Sequence, residues 1–99
     1  MRRVSVTHAA RRDIDAIFKY IANSSVTAAR KVTAKFTSRT KLLATSATPG
    51  ELRADIGPNV RQTIVDEYLL FYEVDDQRIV LLRVIHGARQ MPDAFFDNP

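Results

Sequence analysis

The sequence predicts an α+β domain in which an N-terminal strand and an αα-hairpin pack on a small, mainly antiparallel sheet, in the order β-α-α-β-β-β. Three observations predict it. Apolar residues recur at three- and four-residue steps through positions 8–22 and again to about Ala44, the period of a helix with one buried stripe. Three runs dense in β-branched, aromatic and leucine residues then fill 60–86, separated only by short acidic breaks, as in a meander. The first residues alternate Val4 and Val6 with polar neighbours, the period of a half-buried strand.

Each element follows from local chemistry. "RVSVT" (3–7) is the opening strand, and Thr7 is placed to cap the helix that follows. Ala10, Ile14, Ile17, Phe18 and Ile21 form the first helical stripe, with Arg11, Arg12, Asp15 and Lys19 largely outside it. "NSS" (23–25) is a tight loop offering Ser24 or Ser25 as the next cap, and Ala29, Val32, Phe36 and Leu43 mark the second stripe. "SATPG" (46–50) ends the hairpin, because Pro and Gly do not continue a helix. The segment 51–59 is ambiguous, and a short strand at Leu52–Ile56 before the Gly57-Pro58 turn is one reading. Val60–Asp66, Tyr68–Val74 and Arg78–His86 are the meander strands, with turns at Asp66-Glu67 and Asp75-Asp76-Gln77. The last two are more continuously apolar, which marks them as central. Strict alternation along the last strand puts Val80, Leu82, Val84 and His86 on one face and Ile79, Leu81, Arg83 and Ile85 on the other. The helices then cover one face of the sheet and leave the other partly open. The tail keeps Met91, Phe95 and Phe96, too apolar for a solvated end.

Ninety-nine residues make a single domain spanning 1–99. No apolar run reaches the ~20 residues of a membrane helix, and no secretory leader pattern opens the chain. There is no cysteine, which rules out disulfides and thiolate chemistry and fits a reducing, cytoplasmic setting. The two histidines, His8 and His86, lie far apart with no paired spacing, so a zinc site is not expected and no cofactor is implied. Charge is uneven. Residues 1–46 carry ten Lys/Arg against Asp13 and Asp15, a net of +8, whereas 47–99 carry five Arg against nine Asp/Glu, a net of −4. A basic half suits an anionic partner, nucleic acid or an acidic protein segment, or serves only as a solvated face.

Catalytic motifs are wanting. No serine sits in a nucleophile elbow, the three glycines form no phosphate loop, and the paired acids fall in turns. Metal-free RNA cleavage needs only a base, an acid and cations for phosphate. Arg61, Arg83, His86 and Arg89 are the residues that could supply them. His86, beside Gly87 at a strand end, reads first as a backbone anchor, then as a partner contact, and last as an acid–base group. Arg89 reads as a rim cation whose planar fork suits a carboxylate or a phosphate.

"VSVTHAARRDIDAIFKYI", "LLATSATPGELR" and "NVRQTIVDEYLLFYEVDDQRIVLLRVIHGARQM", closed by Phe95-Phe96, resemble in order and spacing the ParE branch of the RelE/ParE toxins of bacterial type II toxin–antitoxin pairs. The most specific part is Tyr68-x-x-Phe71-Tyr72 followed by Arg83 to Arg89. The resemblance implies one of two activities: poisoning of DNA gyrase, as in the ParE branch, or ribosome-dependent cleavage of messenger RNA, as in the RelE branch. In the nuclease branch an arginine that grips phosphate typically follows the aromatic opening this strand, and a tyrosine or histidine acts near the C-terminus. Here those places hold Leu69 and the phenylalanines Phe95 and Phe96. The expectation is therefore a non-enzymatic inhibitor of gyrase that arrests growth, with the nuclease and a decayed, non-toxic binding module as alternatives. The resemblance also implies an antitoxin, ParD-like or similar, whose disordered tail covers the sheet face and helical hairpin in a hetero-oligomer. Arg61, Arg83, His86, Arg89, Met91, Phe95 and Phe96 are the partner-binding candidates, with no catalytic and no metal residue among them.

Overall fold

The structure, a computed structural model, describes residues 1–46 and 50–87. Its elements are β1 (Arg3–Val6), α1 (His8–Ala22), α2 (Val26–Ala44), β2 (Glu51–Leu52), β3 (Val60–Val65), β4 (Tyr68–Val74) and β5 (Arg78–His86). They build one five-stranded sheet in the order β1-β5-β4-β3-β2. β1 runs parallel to β5, and every other neighbour is antiparallel. The fold is the expected α+β arrangement with one strand more. The ambiguous segment contributes Glu51–Leu52, one residue ahead of the expected position, while 54–56 form a turn.

The caps fall where the sequence places them. The Thr7 hydroxyl accepts from the Ala10 N–H (3.1 Å) and Ser25 accepts from the Ala28 N–H (3.1 Å), each satisfying a donor that the first helical turn leaves open. Thr7 also donates to the Leu82 carbonyl (2.8 Å), tying the strand–helix corner to β5. At the β3–β4 hairpin, Val65 pairs with Tyr68, leaving Asp66-Glu67 as the loop. Asp66 adopts φ 54°, a left-handed conformation that aspartate tolerates better than most residues. At the β4–β5 hairpin, Asp75 Oδ1 accepts from the N–H groups of Gln77 and Arg78 (2.8 and 2.9 Å). These bonds hold its carboxyl below the ordinary aspartate value.

The main core lies between the helices and one sheet face. Phe36 is fully buried against Leu43, Leu70, Tyr72, Ile79, Leu81 and Val84, with Tyr68 edge-on to its ring at 5.4 Å. Truncating Phe36 to alanine costs roughly 3–5 kcal/mol. The opposite face is less open than expected. Phe71 and Ile85 are buried there with Ile56, Leu69 and Leu82 around them, and the Arg53 guanidinium lies 5.7 Å from the centre of the Phe71 ring.

Strict alternation fails in β5. Phe71 pairs with Arg83 but Tyr72 pairs with Leu81, so Leu82 is an extra residue. A bulge of this kind moves everything beyond it to the other face. Val84 therefore joins Ile79 and Leu81 under the helices, while Ile85 joins Leu82 on the far side. His86 follows Val84 to the helix side, where its ring stands edge-on to Tyr68 at 5.3 Å.

Candidate functional site

Beside α1 a cleft of about 580 Å³ opens, lined by Asp13, Ala16, Ile17 and Tyr20 of α1, Glu67 and Tyr68 at the β3–β4 turn, and Val84 and His86 of β5. Its origin lies in the α1 stripe. Ile14, Ile17, Phe18 and Ile21 are all only half-buried, and Ala10 alone among the α1 residues is fully so. The sheet is thus too narrow at this end to cover the helix. Tyr20 extends from the rim with 76% of its surface exposed. An apolar floor with one large exposed aromatic is the kind of surface that takes a partner's side chain.

Asp13 fixes one wall. Its carboxylate accepts from Arg83 Nε (2.7 Å), Arg83 Nη2 (3.1 Å) and the Val84 N–H (2.9 Å). Both side chains of the ion pair are mostly buried, at 18% and 17% exposure, and the carboxylate holds the Arg83 guanidinium above its ordinary value. β1 has already ended at Val6, opposite Leu81, so this carboxylate supplies the acceptor that a longer β1 would have given to β5. The other wall is His86, whose Nε2 lies 3.3 Å from Glu67 Oε2 and whose neighbour Gly87 donates its N–H to the Glu67 carbonyl (2.8 Å). Tyr68 beneath them is a weaker acid than usual, chiefly because it is buried.

The candidates expected from the sequence are not all gathered here. His86 lines the cleft. Arg83 stands at its edge with its guanidinium engaged by Asp13. Arg61 is elsewhere: it pairs across from Tyr72, whereas His86 pairs across from Tyr68, four residues or about 13 Å along β4. There Arg61 Nη1 donates to the Gly50 carbonyl (3.1 Å). Tyr72 is buried beside it, and burial pushes its hydroxyl up to about 12. Arg89, Met91, Phe95 and Phe96 lie outside the described residues. Two residues of the cleft that the sequence reading passed over do carry a signal. Asp13 and Tyr20 stand three residues after Ala10 and Ile17, on the flank of the apolar stripe, where a polar or amphipathic side chain meets a boundary.

Chemically, the cleft presents carboxylates and aromatic rings rather than cations, which suits an apolar or basic side chain better than a phosphate. Among the described residues no group of three or more His, Asp or Glu is placed to hold a metal ion. No described helix is long and apolar enough to cross a membrane.

A helical hairpin on one face of a short, mainly antiparallel sheet is the α+β arrangement of ParE-like proteins. The family model described as ParE toxin of the type II toxin-antitoxin system, parDE, matches residues 4–91, and the chain belongs to that family. It is similar to a solved structure described as "Chromosomal ParDE TA system from P. aeruginosa", with 25% sequence identity and a TM-score of 0.71 over 87% of this chain and 96% of that one. No curated protein sequence matches. Family membership makes the protein a type II toxin.

Proposed function

We propose that the protein inhibits DNA gyrase without catalysing a reaction of its own, and that a cognate antitoxin neutralises it by occupying the cleft beside α1. The observation that carries the non-enzymatic reading is Leu69. At the position where the nuclease branch places its phosphate-gripping arginine, this side chain packs with Phe71, Ile85, Ile56 and Leu82 in an apolar cluster. A phosphate brought to this side chain would be desolvated against an apolar cluster, and position 69 itself offers it no charge. Family membership supports a toxin, and the ParDE neighbour supports an antitoxin partner.

The antitoxin is an acidic, initially disordered segment that folds on the toxin. It sets an apolar side chain on Ile17 and Val84 against Tyr20. Its carboxylates meet the exposed Arg12 and Lys19 of α1. His86 and Tyr20 are the contact residues within the described chain, and Arg89, Met91, Phe95 and Phe96, outside it, remain partner-contact candidates from the sequence. Toxin and antitoxin form a hetero-oligomer in the cytoplasm.

The test is to express the chain alone in bacteria and follow plasmid supercoiling, DNA breaks and ribosome-bound transcripts together. Lost supercoiling and broken DNA with intact transcripts are expected. Cleaved transcripts with normal supercoiling would instead establish the nuclease, and unimpaired growth would establish a non-toxic module. Arg89→Ala is expected to weaken toxicity more than Asp76→Ala, and equal toxicity of the two would remove Arg89 from the surface.

A further inference from the structure

We propose that Lys31, Lys35, Arg39 and Arg61 form a track for the sugar–phosphate backbone of duplex DNA, running along α2 and β3 rather than along the α1 cleft. The three α2 cations recur at four-residue steps, which stacks them in one row about 6 Å apart along the helix. The row lines a groove of about 480 Å³ between α2 and the β3–β4 turn, shared with Ser38 and Asp66. Arg39 Nη1 is held by Thr63 Oγ1 (3.0 Å) and the Ile64 carbonyl (3.2 Å). Thr63 and Arg61 are two apart on β3 and share a face, so Arg61 continues the row across the sheet edge.

Charge decides what fits. Among the described residues three cations line the groove with a single carboxylate, Asp66, and that carboxylate already holds Lys35 (3.1 Å) in a pair whose side chains are 55% and 39% exposed. Such a pair contributes little, so a phosphate can take its place. A polyanion with regularly repeated charge is the matching ligand, since each bound cation displaces a condensed counterion. Duplex is favoured over single strands because no aromatic side chain among the described residues lines the groove, and single-strand grooves rely on aromatic stacking of unpaired bases. Ala34, Leu42 and Val65 also line the groove, but the even four-residue spacing of the three α2 cations matches the regularly repeated charge of a duplex better than the irregular charge of an acidic peptide. The track goes beyond the gyrase reading: a toxin acting on a DNA-bound enzyme would gain from it, but its existence does not depend on that target.

The test uses the full chain and a fluorescein-labelled duplex of about 20 base pairs, with anisotropy followed between 50 and 200 mM salt. Three to four phosphate contacts predict a slope of log K against log salt of about −3, and hence a roughly 60-fold loss of affinity across that range. Lys31→Ala/Lys35→Ala should flatten the slope by about two and weaken binding at least tenfold. Arg11→Ala/Arg12→Ala, which removes as much charge from α1, should leave the slope unchanged. Lys31→Ala alone should flatten it by about one, which keeps the test valid if Lys35→Ala disturbs the Asp66 turn. Absence of duplex binding at 50 mM salt overturns the proposal. So do equal losses in the two double variants, tighter binding to the matching single strand, or tighter binding to polyglutamate. None of these outcomes bears on supercoiling, so the track and the gyrase reading fail separately.

Discussion

Asp13→Ala is the perturbation that tests the architecture most directly. It removes the acceptor of three hydrogen bonds, at 2.7, 3.1 and 2.9 Å, and leaves the Val84 N–H and the Arg83 guanidinium without it. An orphaned buried N–H costs about 1–3 kcal/mol, and removing one partner of a fully buried ion pair costs about 3–5 kcal/mol. The pair here keeps about a sixth of its surface exposed, and the two terms overlap. A total of about 3 kcal/mol follows, a large share of the roughly 5–15 kcal/mol that holds a domain of this size together. Asp13→Asn keeps an acceptor for Val84 and should cost about half as much. In equilibrium urea unfolding, with a slope near 1.5 kcal/mol/M, the midpoint of Asp13→Ala should fall by about 2 M at unchanged slope. Arg83→Met removes the cation but preserves its bulk, so the double variant should lose about 1–2 kcal/mol less than the sum of the single ones. A midpoint for Asp13→Ala within about 0.3 M of the parent, or strict additivity, would refute the clamp.

Gly50 has φ +74°, and a Cβ there would overlap the Tyr72 hydroxyl and lie 2.7 Å from the Gln62 carbonyl. Gly50→Ala should therefore lower the thermal midpoint by well over 5 °C, whereas Gly87→Ala, which among the described residues meets the Glu67 carbonyl at 3.2 Å, should shift it by a degree or two. The carboxyl of Asp75 titrates below its ordinary range because of its bonds to the Gln77 and Arg78 N–H groups. Its contribution is thus present above the ordinary aspartate pKa and fades as pH falls through the lowered value. Asp75→Ala should erase that part of the acid-stability profile and Asp76→Ala should not, as read by urea midpoints between about pH 2 and 6. Tyr20→Ala, at an exposed rim position, should leave the urea midpoint within about 0.5 kcal/mol of the parent and weaken antitoxin binding about tenfold or more, as measured by calorimetry.

The helices were legible because their signals are local. Thr7 and Ser25 cap where the periodicity begins, and α1 and α2 end at the loop residues expected to end them. β4 and β5 match their expected bounds for the same reason, since acidic turn residues flank unbroken apolar runs. The bulge was not legible. Ile79 to Leu82, Val84 and Ile85 are all apolar and fit either face, so nothing in the run itself says where alternation breaks. The extra residue is specified instead by partners about seventy positions away: Thr7 takes the Leu82 carbonyl and Asp13 takes the Val84 N–H. The pairing of Arg83 with Asp13 was not legible for a related cause. A cation on a strand looks like a surface group until the helix that neutralises it is in place. Arg61 and His86 could not be separated either, because only the pairing register shows that β4 holds them at opposite ends.

The same edge explains why the cleft exists. β1 covers β5 only as far as Leu81, and beyond that point α1 takes over with Thr7 and Asp13. Because Leu82 is bulged outward, Val84 and His86 turn toward α1 and become the floor and wall of the cleft. With unbroken alternation both would lie on the far face beside Leu69 and Phe71, and Ile17 and Tyr20 would overhang nothing. The clamp therefore shapes the proposed binding surface as well as the fold. Asp13→Ala should weaken antitoxin binding and stability together, while Tyr20→Ala should weaken binding alone. If instead Asp13→Ala loses stability but binds antitoxin undiminished, the antitoxin does not use the cleft, and the contact surface must be sought on another face.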